Sequence, residues 1–279
     1  MNQLHCGRYR LNLDHPLIMG IVNLTPDSFS NDGVGRDVDL AIRHARQQFE
    51  AGADILDIGA ESSRPGAIPT PEEEELARLL PVLQEVVNWG IPVSVDTYKP
   101  AVMREALRAG ASMVNDIQAL QKEGALDVVR QTECAVCLMH MQGLPGTMQQ
   151  APVYGDVVSE VGGFLAQRVS ECCEAGIEPS RIVLDPGFGF GKSLDHNLAL
   201  FRALTAFTAK EMPVLVGVSR KSMLGAITGR PVDERMPASL AAALMAVQKG
   251  AKILRVHDVA ATKDALAFQA AVEKESFNG

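Results

Sequence analysis

With 279 residues, 47% of them hydrophobic and 22% charged, the chain can bury a large core and reads as a soluble globular protein. A formal net charge of −8 argues against a nucleic-acid surface, which needs a basic face, so any anionic ligand must be held by local cations. No stretch resembles a signal peptide or approaches the ~18 apolar residues of a membrane span, which predicts a cytoplasmic protein with neither membrane nor nucleic-acid partners.

Residues 1–16, with alternating Tyr9, Leu11 and Leu13, predict a small hairpin. Eight β-rich runs follow: Leu17–Leu24, Ile55–Gly59, Pro92–Asp96, Met113–Ile117, Cys134–His140, Ile182–Asp185, Val214–Ser219 and Ile253–His257. Helical periodicity separates most of them, as in Val38–Glu50, Glu72–Val87, Ala101–Ala109, Val157–Glu174 and Ser239–Lys249. Gly52, Gly110, Gly176 and Gly250 stand between a helical segment and the next strand, the pattern of left-handed C-caps. Eight alternations without a Ser-, Pro- or charge-rich linker predict the α/β class: one (β/α)8 barrel domain over residues 1–279, its bottom closed by the hairpin. The longest irregular stretches, 25–36, 62–70 and 140–154, each follow a strand and are candidate lids.

Five cysteines are poorly spaced for a disulfide framework. Cys134 and Cys137 form a C-x-x-C inside an apolar strand, where residues three apart face opposite ways, so neither a redox pair nor a zinc site is expected. The run Ile182–Ser193 delivers Asp185 into a glycine-rich turn at a strand's carboxyl end, where α/β folds bind ligands. It is not a nucleotide loop, because Pro186 stands where a Walker A sequence needs its first glycine.

Each remaining strand also ends in polar residues: Asn23, Glu61 with Ser62, Asp96, Asn115 with Asp116, His140, Ser219 with Lys221, and Arg255 with His257. A full set converging on one rim predicts a site rather than packing. Barrels commonly bind phosphate beside the seventh and eighth strands, so Lys221, Arg255 and His257 form the expected anion site, with Arg255 gripping a phosphate bidentately. Arg220, adjacent to Lys221, should point away toward a carboxylate outside the barrel. Asp96, Asn115 and Asp185 suit a planar heterocycle rich in N–H donors. Zinc-ligand spacing is absent, whereas Asn23 can lend a carbonyl oxygen to a Mg²⁺ held mostly by phosphate oxygens.

VNLTPDSFS, ESSRPG, SVDT, NDI, LMHMQG, LDPGFGFGKS, GVSRKSM and RVHDV, in that order from Met19 to about Ala261, resemble the dihydropteroate synthase family. The resemblance implies a folate-pathway transferase on a Mg²⁺-assisted barrel that forms homodimers. Such an enzyme joins p-aminobenzoate to hydroxymethyl-dihydropterin diphosphate and releases diphosphate by a dissociative route through a pterin-methyl cation. It assigns Asp96, Asn115, Asp185 and Lys221 to the pterin, with Met139, Phe190 and Gly217 lining its slot, and Asn23, Arg255 and His257 to diphosphate, Asn23 also to the metal. Phe29, Ser62, Ser63, Arg64, Pro65, Lys221 and Ser222 are implied for p-aminobenzoate.

The chain departs from the family pattern at Ser63, usually Thr, at Tyr98, usually Ser, and at Asn31, where a loop carboxylate is usual. The expectation is that Asp32 takes over that catalytic charge beside Lys221, Arg255 and His257, while Tyr98 narrows the rim. Corrinoid-linked pterin methyltransferases share the barrel and clamp, but the SRKS and RVHD cations and the ESSRPG loop are not expected in them. A non-catalytic pterin-binding barrel would lose Asn23, Arg255 and His257.

Overall fold

A computed structural model describes residues 2–24, 38–62, 66–209 and 211–273. The expected hairpin is present, β1 (Gln3–Cys6) pairing antiparallel with β2 (Tyr9–Asn12). Eight parallel strands follow: β3 (Leu17–Asn23), β4 (Ile55–Gly59), β5 (Val93–Asp96), β6 (Met113–Asp116), β7 (Ala135–Met139), β8 (Ile182–Asp185), β9 (Leu215–Val216) and β10 (Ile253–Val256). They pair in the order β8-β7-β6-β5-β4-β3-β10-β9, and a single parallel bridge, Leu184 to Val214, brings β8 back to β9. This is the predicted barrel.

Between the strands lie α1 (Val38–Glu50), α2 (Glu72–Val86), α3 (Pro100–Arg108), α4 (Ala125–Arg130), α5 (Val157–Glu174), α6 (Leu194–Arg202) and α7 (Thr205–Thr208), then α8 (Ser222–Thr228), α9 (Met236–Gln248) and α10 (Val259–Glu273). The four glycines read as caps all adopt positive φ, between 92° and 107°. The seventh strand is shorter than the predicted Val214–Ser219. The chain leaves the ladder at Gly217, Ser219 turns its hydroxyl to His257, and Arg220 takes a left-handed φ of 57°.

Strand alternation divides the side chains into two cores. Leu17, Met19, Ile55, Met113, Ala135, Cys137, Val183, Leu215 and Ile253 point into the barrel and pack on Leu4, Cys6 and Leu13 of the hairpin segment, which plugs the bottom. The alternate residues, such as Val114, Val136, Leu138, Leu184, Val216 and Leu254, face the helices. Cys134 and Cys137 fall in different cores, as their spacing predicts, and the cysteines are free thiols. With the lower interior filled by hydrocarbon, the upper inward positions are left for polar groups at the strands' carboxyl ends.

Candidate active site

The floor of the upper interior is set by a residue that the sequence reading did not single out. Asp57 lies in the middle of β4, on the inward face with Ile55 and Gly59, and is completely buried. Its Oδ2 accepts from Arg255 Nε at 2.6 Å and from Asn115 Nδ2 at 3.2 Å. Arg255 Nη2 continues to Asp96 Oδ2 at 2.8 Å, so one guanidinium is shared between two carboxylates. Gly59, paired in register with Asp96, keeps the space open, since a Cβ there would stand 3.3 Å from that of Asp96.

This network orients the three residues proposed for heterocycle binding. A carboxylate can only accept, so Asn115 must present its Nδ2 to Asp57 and its Oδ1 elsewhere. Asp185 receives the Gly187 N–H on Oδ1 at 2.7 Å. Asp96, Asn115 and Asp185 thus each retain one oxygen without a partner among the described residues: three acceptors on three strands.

Lys221 donates to the Phe188 carbonyl and holds its ammonium 4.6 Å from the centre of the Phe190 ring. Met139 lies in register with Asp185 at the end of β7, and Gly217 stands beside Arg255, where a Cβ would meet Arg255 Cβ at 3.7 Å. Met139, Phe190 and Gly217 thus stand beside Asp185, Lys221 and Arg255 respectively. His257 shares Ser219 Oγ through its backbone N–H at 3.2 Å and Nδ1 at 3.1 Å. Asn23 ends β3 on the same face as Leu17 and Met19. Ser222 opens α8 and is exposed, and Ser62 follows Glu61 at the rim. Phe29, Asp32, Asn31, Ser63, Arg64 and Pro65 lie outside the described residues.

With Asp57, Asp96 and Asp185 against Arg255 and Lys221, three acids face two cations, and burial sets the direction in which Asp96, Asp185 and Lys221 shift. Burial pushes Asp96 up to about 7, opposed by Arg255 and reinforced by Asp57. It raises Asp185 too, opposed chiefly by Lys221, and pulls Lys221 down to about 8. Arg255 moves up despite its own burial, because Asp57 and Asp96 favour its charge.

Several expectations need correction. Arg255 does not present its whole fork to an anion: Nε and Nη2 serve the two carboxylates, leaving Nη1 for a ligand. Not every strand-end polar residue enters the site. Asp116 faces outward and accepts from the backbone N–H groups of Gln118 and Leu120. His140 is turned beneath the glycine turn, where its Nδ1 lies 2.9 Å from Lys192 Nζ. Glu61 and Glu75 share the buried ammonium of Lys99, which also donates to the Thr70 carbonyl, so both ends of the 62–70 segment are tied to one lysine. Tyr98 sits at this rim with the ammonium groups of Lys99 and Lys122 5.4 and 5.2 Å from its ring centre. Arg220 behaves as expected, binding Asp258 with Nε at 3.0 Å and Nη2 at 2.5 Å.

Residues 19–257 match the pterin binding enzyme family. The chain is 54% identical to dihydropteroate synthase of Neisseria meningitidis serogroup B over 267 residues, covering 93% of this chain and 94% of the relative. The chain belongs to the dihydropteroate synthase family. It is also 47% identical to dihydropteroate synthase of Escherichia coli K12, covering 92% and 91% of the two chains. Among solved structures it is similar to Xanthomonas albilineans dihydropteroate synthase with 4-aminobenzoic acid, at a TM-score of 0.93 and 49% identity over 99% of both chains. The Burkholderia cenocepacia dihydropteroate synthase complexed with 7,8-dihydropteroate gives a TM-score of 0.89 at 50% identity, covering 97% of this chain and 96% of that one.

Proposed function

We infer that this barrel catalyses the dihydropteroate synthase reaction, transferring the dihydropterin-methyl group from hydroxymethyl-dihydropterin diphosphate to p-aminobenzoate with release of diphosphate. The observation that carries this reading is the set of three one-sided acceptors, Asp96, Asn115 and Asp185, beside Arg255 and Lys221 at one barrel mouth. A pterin edge offers ring and exocyclic N–H donors to such a set. Arg255 Nη1, His257 and Asn23 take the diphosphate, Lys221 contacts the pterin ring, and Met139, Phe190 and Gly217 enclose it. Ser62, Ser63, Arg64, Pro65, Phe29 and Ser222 are assigned to p-aminobenzoate.

The bond from the pterin methylene carbon to oxygen breaks with its electron pair leaving on diphosphate. The arylamine nitrogen then attacks the cation, forming the new C–N bond and shedding a proton to diphosphate or solvent. No strong base is needed. The floor carboxylates hold the ring at fixed depth, and Asp96 and Asp185 favour developing positive charge by proximity, a role proposed for Asp32 as well.

Among the described residues no group of three or more His, Cys, Asp or Glu side chains can hold a metal, so the donor set fits a cation bound chiefly by substrate oxygens. Asn23 would supply one oxygen to Mg²⁺, which when bound offsets charge on the leaving diphosphate. Corrinoid-type methyl transfer gains no support from a site that pairs the clamp with leaving-group cations.

A homodimer is proposed on the α9–α10 face. α10 exposes Phe268 and Val272, and α9, which packs against it, exposes Met245, large apolar groups that a second copy would cover. Cytoplasmic placement agrees with soluble substrates and with the absence of any membrane-crossing helix among the described residues. Diphosphate release measured with and without p-aminobenzoate tests the reaction. Turnover that needs both substrates supports it, and indifference to the arylamine rejects it.

A further inference from the structure

Lys192 is almost completely buried beneath the turn that follows β8, and nothing above gives it a role. Its Nζ lies 2.9 Å from Gly187 O, 3.0 Å from Phe190 O, 3.2 Å from His140 O and 2.9 Å from His140 Nδ1. An ammonium supplies three donors and a neutral amine two, so three carbonyls and an imidazole nitrogen around one Nζ favour the charged form, against burial, which pulls Lys192 down to about 7. The imidazole is the neutral partner: burial and the adjacent Lys192 charge hold His140 down to about 3. With Nδ1 accepting, its proton resides on Nε2, and the ring packs edge-on against Phe164 at 4.9 Å.

The other face of the same turn belongs to the site. Gly187 N–H holds Asp185 Oδ1, Phe188 O receives Lys221, and the Phe190 ring lies under the Lys221 ammonium. His140 N–H is bonded to Asp185 O at 3.0 Å, which ties β7 to the strand carrying that carboxylate. The fit is tight. Gly187 has φ of 70°, and a Cβ there would come within 1.9 Å of His140 O, so the turn rests directly on the segment that Lys192 grips.

We propose that Lys192 is a positioning residue for the pterin side of the site, its buried ammonium fixing the turn so that Asp185, Phe190 and Lys221 meet the ring in one geometry. It acts through those three residues and touches no substrate. Arg255 and Asn23 stand on β10 and β3 and His257 just past β10, and the hydrogen bonds that Arg255 and His257 make to Asp57, Asp96 and Ser219 lie off the turn, so the diphosphate side should be much less sensitive to it. The inference rests on the pterin reading given above.

The test compares hydroxymethyl-dihydropterin and inorganic diphosphate as separate probes, by calorimetry, in the full-length wild type, Lys192→Met and Lys192→Arg. Lys192→Met should weaken pterin binding about tenfold or more and raise the pterin KM, with diphosphate affinity within about twofold. Lys192→Arg, which keeps the charge but cannot seat on all four acceptors, should lie between. If Lys192→Met does not fold, the Arg variant decides alone. An unchanged ratio of pterin to diphosphate affinity in the folded variants overturns the proposal. Failure of the wild type itself to bind the pterin rejects the underlying reading instead.

Discussion

Replacing Asp57 by Asn tests whether the site is organised from its floor. The substitution keeps shape and removes one charge from a group that holds both Arg255 and Asn115. Charge centres about 4 Å apart at an effective dielectric near 20 attract by about 4 kcal/mol. Arg255 retains Asp96, and the buried carboxylate's desolvation penalty disappears, so only part of that is lost. The amide also has one donor group too many, because Asp57 Oδ1 has no partner among the described residues. Asn115 then loses the partner that fixes which end of its amide faces the ligand. We expect pterin affinity to fall about tenfold, equivalent to about 1.4 kcal/mol.

A second readout separates this from general damage. Asp57 helps raise Asp96 to about 7, and removing it leaves Arg255 to favour the Asp96 anion alone. Two like charges bonded to one edge of a guanidinium, several ångströms apart at the same dielectric, repel by about 2 kcal/mol, and one pH unit corresponds to about 1.4 kcal/mol. The acidic limb of the pterin-binding profile should therefore move down by about one unit. Calorimetry across pH reads both quantities. Wild-type affinity with an unmoved limb would refute the proposed role of the floor carboxylate.

Three further outcomes follow from the same geometry. In the wild type, kcat/KM for the pterin substrate should rise as Asp96 ionises near pH 7 and fall as Lys221 loses its proton near pH 8, giving a narrow bell; a flat profile from pH 6 to 9 would speak against both assignments. Arg255→Ala should weaken the diphosphate ester more than the same pterin lacking diphosphate, with about 1.5–3 kcal/mol typical for a hydrogen bond to a charged group, and equal losses measured by competition binding would remove Arg255 from the anion side. Lys99→Met leaves Glu61 and Glu75 without their shared cation, which should destabilise the fold by about 3–5 kcal/mol in urea unfolding; a change under 1 kcal/mol would mean that the two acids reprotonate or find other partners.

The barrel was readable because its signals are local: apolar runs at strand length, helical periodicity and glycine caps. Asp96, Asn115, Asp185, Lys221 and Arg255 were readable because they stand at or near strand ends. Asp57 was harder to find, since a buried parallel strand is apolar on both faces and no alternation marks its inward side. The usable signal was a single carboxylate in Ile-Leu-Asp-Ile-Gly, two residues before a glycine paired with Asp96. Lys192 lies in a glycine-rich sequence where lysine suggests a ligand contact, and only the turn's tertiary path shows its ammonium directed inward. His140 and Asp116 were assigned to the rim by position, but adjacent strand residues face opposite sides, and the chain's course after the strand decides where each end residue points. The proposed transfer of the loop charge from Asn31 to Asp32 concerns residues outside those described.

The central claim is that one mouth binds the pterin by the floor acceptors and activates its diphosphate as a leaving group for p-aminobenzoate. The most direct measurement is diphosphate release from hydroxymethyl-dihydropterin diphosphate, followed together with dihydropteroate formation in wild type and Asp185→Asn. The account predicts one diphosphate per dihydropteroate in the wild type, and in the folded variant a loss that appears chiefly as weaker pterin binding. Release uncoupled from arylamine transfer, or full pterin affinity in Asp185→Asn, would contradict it.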